Sequence, residues 1–265
     1  MSLAAGAHAD QYTEFCDGIR RLCGIDLLHY KRGQMERRIR SFAQRRGAPS
    51  LPEYLRLLQG DPGQLSEFLD RVTINVSQLW RNPEQWRHLT ETVVPELAAA
   101  GHVRAWSAGC SYGAEAYTVA ATCRTAAPAA RIEVHGWDID ARMVARAREG
   151  RFSGDDARSA PQPLLARWFD REPDGGWRAK AELRMLTRFE VRDLLRDRFP
   201  GGQYDLVLCR NVVIYFTEDV RDRLHARLAE ALRPGGFLMI GSSERISAPA
   251  ELGLEATHPF LYRRG

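Results

Sequence analysis

Four short stretches of this chain put polar residues at the ends of apolar runs, where a buried strand has no packing use for them. The first is Ser107-Ala108-Gly109-Cys110-Ser111-Tyr112-Gly113. Its two glycines let the backbone approach a ligand closely and turn sharply into a following helix. The run is not Gly-x-Gly-x-x-Gly, and no Gly-x-x-x-x-Gly-Lys-Ser/Thr follows, so cradles for pyrophosphate or triphosphate are disfavoured and a nucleoside without a phosphate fits better. The second stretch ends in Gly136-Trp137-Asp138-Ile139-Asp140. A carboxylate at that tip is placed to accept both hydroxyls of a ribose, which makes Asp138 the ribose candidate. The alternative is that Asp138 or Asp140 caps the helix starting at Ala141, with Asp140 the more natural cap. In the third stretch, Phe189 to Leu195, Asp193 and the Leu194 backbone are offered to an adenine edge. The fourth, Cys209-Arg210-Asn211-Val212-Val213-Ile214-Tyr215-Phe216, delivers several members toward the same cleft, although singly Asn211 also suits a turn and Tyr215 a core.

These stretches need a parallel sheet to bring their ends together, and the chain spells one. From residue 102, runs rich in β-branched and aromatic residues (HVRAWSAG, IEVHGWDI, YDLVLCRN, GFLMIGS) alternate with helical segments near 114–125, 140–149 and 217–232. Such alternation predicts βαβ units and a sheet covered on both faces, with ligands bound beyond the carboxyl ends of the strands. Residues 151–186 break the alternation with Pro161, Pro163, Pro173 and Gly175-Gly176, and read as an insertion holding a short helix at Leu164–Phe169 and a hairpin at the glycine pair. The C-terminal LEATHPFLYRR reads as one last strand, antiparallel to its neighbour. Before residue 90 the spacing of Phe15, Ile19 and Leu22, of Met35, Ile39 and Phe42, and of Leu65, Phe68 and Val72 is helical. Ser50 followed by Pro52 and Glu53 marks a helix start. The expected division is a helical domain over 10–94, a linker at Val94-Pro95, and an α/β domain over 95–265.

Composition narrows the classes. At 265 residues the chain can bury about 75% of its unfolded surface. Hydrophobic content of 44% beside 27% charged residues excludes wholesale disorder. No apolar run approaches the ~20 residues of a membrane span, and the start MSLAAGAHADQY lacks signal-peptide character, so the chain reads as soluble and cytoplasmic. The five cysteines form no Cys-x-x-Cys pair and no zinc-ligand spacing with the histidines, so no metal is expected. Net charge is only +4, but residues 31–46 hold seven basic groups and one acid, so that segment is +6 and the remainder −2. On a helix this places Arg37, Arg40 and Gln44 along one face with Arg38, Ser41 and Arg45 alongside, while Met35, Ile39 and Phe42 face inward.

A glycine-rich strand–turn–helix, an acid at the second strand tip and no phosphate loop together describe a class I, Rossmann-like S-adenosylmethionine methyltransferase. More specifically, the chain resembles the CheR-type chemoreceptor glutamate methyltransferases. The resemblance rests on Ser107-Ala108-Gly109-Cys110-Ser111-x-Gly113-x-Glu115-x-Tyr117, on Asp138-Ile139-Asp140, and above all on Cys209 to Phe216. It extends through Tyr30-Lys31, Arg37-Arg38-Ile39, Glu53-Tyr54-Leu55, Thr73-Ile74-Asn75-Val76-Ser77 with Trp80-Arg81, Pro234-Gly235-Gly236 and Gly241-Ser242-Ser243-Glu244. It implies an all-helical N-terminal domain and a small inserted antiparallel β subdomain. It also implies an S-adenosylmethionine pocket lined by Asn75, Ser77, Arg81, Glu115, Asp138, Asp193, Leu194, Asn211 and Val212 beside the Gly109 bend, with Glu115 holding the cofactor's amino group. Departures from the family pattern are Leu79-Trp80 before Arg81, Ala114 and Ala116 around Glu115, and Tyr112 in place of a smaller residue.

The resemblance makes a glutamate on the cytoplasmic helices of chemoreceptors the acceptor. With an unperturbed pKa of ~4.3 that side chain is already an anion, so positioning and exclusion of water matter more than a base. Arg81 and Tyr215 are candidates for orienting the acceptor or closing the site; for Arg81 the alternative is a structural ion pair. Arg37, Arg38, Arg40 and Arg45 are the candidate docking face, against the alternative of a solvated basic surface. Nucleic acid is not expected as a partner, since the motifs of adenine and cytosine methyltransferases (Asn/Asp-Pro-Pro-Tyr/Phe, Pro-Cys) are missing. The remaining rivals are a non-catalytic S-adenosylmethionine-binding module and a methyltransferase acting on another acceptor.

Overall fold

The structure, a computed structural model, describes residues 3–72 and 77–265, with side chains from residue 11 onward. The chain divides into two compact units: residues 1–75 with 215–220, and residues 76–214 with 221–265.

The first unit is helical. Its helices are α1 (Leu3–Cys23), α2 (Arg32–Arg45), α3 (Leu51–Gly60) and α4 (Pro62–Val72). The start of α3 is the one its sequence spells, for Ser50 Oγ accepts the Glu53 N–H and proline occupies the first turn. Met35, Ile39 and Phe42 are buried on α2 as their spacing requires. Phe15 stacks on Tyr54 with ring centroids 5.8 Å apart, and Phe68 meets both edge-on. The segment after residue 214 joins this unit through a bridge between Tyr30 and Phe216 and a hydrogen bond of 2.9 Å from the Lys31 N–H to the Tyr215 carbonyl.

The second unit begins with a helical run in which α5 (Pro83–His88) passes through a π turn (Leu89–Val93) into α6 (Val94–Ala98). Val94-Pro95 is therefore no linker: it lies inside this run, with Pro95 in the first turn of α6, where its missing N–H is tolerated. Then follow β1 (His102–Ala108), α7 (Ala114–Ala126), β2 (Arg131–Asp138), α8 (Ala141–Glu149), β3 (Arg151–Phe152), α9 (Gln162–Trp168), β4 (Phe169–Arg171), β5 (Trp177–Ala179), α10 (Ala181–Leu186), β6 (Thr187–Val191) and β7 (Tyr204–Cys209). The chain closes with α11 (Glu218–Ala231), β8 (Leu232–Ile240), β9 (Leu254–His258) and β10 (Leu261–Arg264).

Seven strands form one sheet in the order β6-β2-β1-β7-β8-β10-β9, parallel from β6 to β8. The C-terminus supplies two strands rather than the one expected, because the His258-Pro259-Phe260 turn folds β9 back on β10, which lies antiparallel to both β9 and β8. Every residue of β7 is buried, as a central parallel strand demands. The insertion is confirmed as a separate antiparallel sheet, β3-β5-β4, with the hairpin at the glycine pair and α9 at the expected place. The fold is thus the mostly parallel α/β sheet with an all-helical N-terminal part and a small antiparallel β subdomain. Among the described residues no helix is long and apolar enough to cross a membrane.

On α11, His225 is 1% exposed and neither ring nitrogen has a partner among the described residues. Burial, with Arg221 adding to it, lowers its pKa from 6.5 to about 4. The unfolded chain therefore binds this proton more readily than the folded one. The unfolding free energy is expected to fall by about 3 kcal/mol as pH drops from 6.5 toward 4, a slope that urea titrations should find missing in His225→Leu.

Candidate functional site

Strand order places the topological switch of the second unit between β1 and β7: the chain runs from β1 outward to β2 and β6, then returns to β7 on the other side of β1. Ligands in open parallel sheets bind at that point, beyond the carboxyl ends. After β1 the backbone turns through Gly109 (φ +77°) and Ser111 (φ +49°), and Gly113 (φ +89°) precedes α7. Gly109 has two reasons to be glycine: its left-handed backbone, and the fact that a Cβ there would stand 2.6 Å from Cγ2 of Val212. The loops following β1 and β7 are therefore in contact.

Asp138 ends β2 and is 9% exposed. Its Oδ2 accepts the Ser111 N–H at 2.7 Å and its Oδ1 the Asp140 N–H at 2.9 Å. Burial pushes its pKa up to about 6 despite these donors. The Ile139 N–H also bonds this carboxylate; since each oxygen can accept twice, the group as a whole keeps acceptor capacity. Asp140 is the cap of α8: it accepts the Arg142 N–H at 2.9 Å and its other oxygen takes the Arg142 guanidinium at 2.9 Å. The Arg192 N–H donates to the Asp138 carbonyl, which brings the start of the 192–195 turn beside this tip. In that turn Asp193 Oδ1 accepts the Leu195 N–H at 2.8 Å, and the Leu194 carbonyl accepts from Arg227 at 2.7 Å.

Glu115, in the first turn of α7, accepts from Ser107 Oγ at 2.7 Å and faces Arg210 Nη1 at 3.4 Å. Desolvation raises its pKa, with Arg210 and Ser107 opposing. The Arg210 side chain is only 2% exposed. Its Nη2 donates to the Arg81 carbonyl at 2.9 Å, to Asn82 Oδ1 at 3.1 Å and to Gln85 Oε1 at 2.6 Å, and the guanidinium lies 5.3 Å from the Trp86 ring centroid. Asn211 follows in left-handed conformation (φ +62°), its N–H held by Glu244 Oε2 at 3.0 Å, the same oxygen that takes the Gly241 N–H at 2.6 Å. Burial raises the pKa of Glu244.

The structure thus brings Arg81, Gly109, Glu115, Asn211 and Val212 together around β1 and β7, with Asp138, Asp193 and Leu194 at the neighbouring strand tips and Ser77 bonded to Tyr112 in the turn after β1. Tyr215 lies in the first unit, and Asn75 lies outside the described residues. Arg210, Gln85 and Glu244 take part without having been picked from sequence as site residues. For Arg210 the available signal was a charge directly behind an apolar run; for Gln85 there was none. On α2, Arg37 and Arg45 are exposed, whereas Arg40 is tied to Glu36 at 2.7 Å and Arg38 is half-buried near the Phe42 ring.

Residues 75–257 match the family described as "CheR methyltransferase, SAM binding domain", and residues 10–73 its all-alpha domain. The chain belongs to the CheR methyltransferase family. A chemotaxis protein methyltransferase of Listeria innocua is 34% identical over 253 residues, which span 95% of this chain and 96% of that protein. Another, of Pseudomonas aeruginosa, is 29% identical over 255 residues, 92% of each chain. This CheR-family chain is accordingly an S-adenosylmethionine-dependent methyltransferase. The residues at its strand tips fit that cofactor. Asp138 retains acceptor capacity, and Glu244 Oε1, Arg210 Nε and Gln85 Nε2 are buried polar atoms without a partner among the described residues, an acceptor and two donors suited to a zwitterionic amino-acid arm.

Removing one member of a buried ion pair strands the other charge, at a cost of roughly 3–5 kcal/mol. Arg210→Met is expected to lower the unfolding free energy obtained from urea titration by that scale, and Glu115→Gln in the same chain to recover part of it. Strictly additive losses in a double-mutant cycle would show that the two side chains are not energetically coupled.

Proposed function

We propose that this methyltransferase esterifies glutamate side chains on the cytoplasmic helices of chemoreceptors, releasing S-adenosylhomocysteine. The observation that carries the reading is the Asp138 tip, a buried carboxylate that keeps acceptor capacity beside a glycine turn packed against the loop after β7. When bound, S-adenosylmethionine supplies a methyl group already activated by its positive sulfur. A glutamate carboxylate oxygen then forms the new C–O bond as the methyl–sulfur bond breaks, and no proton changes hands. The chain's own residues have to hold and exclude: Asp138 takes the ribose hydroxyls, Glu115 the ammonium, and the 193–194 turn and the Asn211-Val212 backbone the base. Arg81, whose charge acts on Glu115, suits an off-line contact with the acceptor or the cofactor, because a direct in-line ion pair would restrain the nucleophile.

The acceptor assignment draws on the names of the relatives and on charge. Receptor-type acidic helices would meet the exposed Arg37 and Arg45 of α2, with Arg38 and Arg40 contributing less because both are half-buried and Arg40 is tied to Glu36.

Labelled cofactor incubated with receptor cytoplasmic fragments is expected to give a base-labile ester released as methanol. Label stable on another acceptor, or binding without transfer, would replace this reading. S-adenosylhomocysteine affinity is expected to fall as pH drops below 6, because ribose hydroxyls favour the ionised Asp138 and protonation then competes with binding; Asp138→Asn should flatten that profile, and Asp138→Ala should bind at least tenfold more weakly. Charge reversal at Arg37 and Arg45 is expected to slow receptor methylation at low salt while leaving S-adenosylhomocysteine affinity unchanged.

A further inference from the structure

Tyr112 stands in the turn between β1 and α7, 5% exposed, with the Arg146 guanidinium 4.7 Å from its ring centroid. Its hydroxyl accepts the Ser77 N–H at 3.2 Å and points its single proton between the Ser77 carbonyl and Asp156 Oδ1, the latter at 2.9 Å. Asp156 belongs to the turn that follows β3, in the inserted subdomain. Its carbonyl accepts the Leu79 N–H at 2.9 Å, and its Oδ2 takes the Ser153 N–H at 2.8 Å. One phenol therefore joins three pieces of chain far apart in sequence: the glycine-rich turn, the Ser77–Arg81 segment and the first turn of the insertion.

The Ser77–Arg81 segment is neither helix nor strand. It has no ladder of its own to hold it, so its course depends on bonds made to other elements: Tyr112 and Asp156 at Ser77 and Leu79, Thr118 Oγ1 at the Trp80 N–H, and Arg210 at the Arg81 carbonyl. Trp80 itself is strained at φ +51°, a conformation that persists only when the surroundings over-determine it. Remove the phenolic oxygen and the Ser77 N–H loses its acceptor, while Asp156 loses its donor from the glycine turn. Phenylalanine would fill the same space and keep the Arg146 contact, but it cannot restore either bond. Burial and the Asp156 charge raise the phenol's pKa, so it stays a neutral donor throughout the physiological range.

We propose that Tyr112 is a positioning residue for the cofactor, its hydroxyl latching the Ser77–Arg81 segment to Asp156 of the inserted subdomain. The proposal rests on the reading that Ser77 and Arg81 line the cofactor pocket. It makes cofactor affinity depend on two groups, the Tyr112 hydroxyl and the Asp156 carboxylate, whose observed partners are protein atoms. It also gives the inserted subdomain a thermodynamic connection to the pocket, since anything that shifts the 153–156 turn acts on the same latch.

The test compares Tyr112→Phe, Asp156→Ala, their combination and Arg81→Ala by calorimetric titration with S-adenosylhomocysteine, thermal unfolding, and steady-state kinetics. Tyr112→Phe and Asp156→Ala are each expected to weaken S-adenosylhomocysteine roughly five- to tenfold, the scale of a hydrogen bond lost at a partly buried segment. The double variant should be no weaker than the worse single one, and the kinetic loss should appear in KM for the cofactor rather than in kcat. Affinity within twofold of the parent in both single variants, with or without a lower Tm, would make the phenol purely structural and overturn the proposal, as would fully additive losses. Arg81→Ala separates the two levels: if it weakens binding while Tyr112→Phe does not, the pocket assignment stands and the latch falls. If Arg81→Ala binds as the parent does, the pocket assignment itself is wrong at that residue.

Discussion

A guanidinium sealed inside a protein survives only where the chain delivers enough oxygen to it, and in this protein the rest of the catalytic unit is arranged around that demand. Arg210 leaves the end of β7 and is met by Glu115 from α7, by the Arg81 carbonyl, by Asn82 and by Gln85. Desolvation of so buried a charge is costly, and the cost is offset only if these partners are all in place at once. The same contacts orient the Glu115 carboxylate and set the path of the chain through Arg81. A structural requirement of the fold thus coincides with the placement of Glu115 and Arg81, two of the residues proposed to hold the cofactor.

On the proposed reading, methyl transfer to a carboxylate asks little of acid–base chemistry, and the residues at the strand tips agree with that. Its groups are acceptors and donors suited to binding, held by backbone geometry: Asp138 fixed by two N–H groups at the end of a strand, Gly109 pressed against Val212, Asn211 held left-handed by Glu244. Such groups are costly to hold in place by side-chain packing alone. Rooted in strand ends and sharp turns, they come pre-organised, which is where rate arises when the reacting partners are already activated.

Much of the architecture was legible in the order of the residues. Alternation of β-branched runs with helical segments announced a parallel sheet, and the glycine and proline cluster at 161–176 announced an insertion; both are local patterns that survive any tertiary arrangement. The tip residues Asp138, Asn211 and the Gly109 turn were legible because polar or glycine residues ending an apolar strand have few other uses. Val94-Pro95 misled as a linker because proline tolerates the first turn of a helix as well as a break. The C-terminal run misled as one strand because its turn, His258-Pro259-Phe260, is too short to interrupt the apolar pattern.

What no periodicity can supply is which distant segment closes on which. Residue order was enough to settle the elements, the chemistry offered at their ends and the family to which they belong, since these depend on residue type and near-neighbour spacing. Folding in three dimensions was needed to settle that β7 returns beside β1, that Arg210 finds Glu115 and Gln85, and that Tyr112 reaches Ser77 and Asp156. Those partners lie tens of residues apart, and a hydrogen bond between them exists only after loop closure has brought them within about 3 Å of each other.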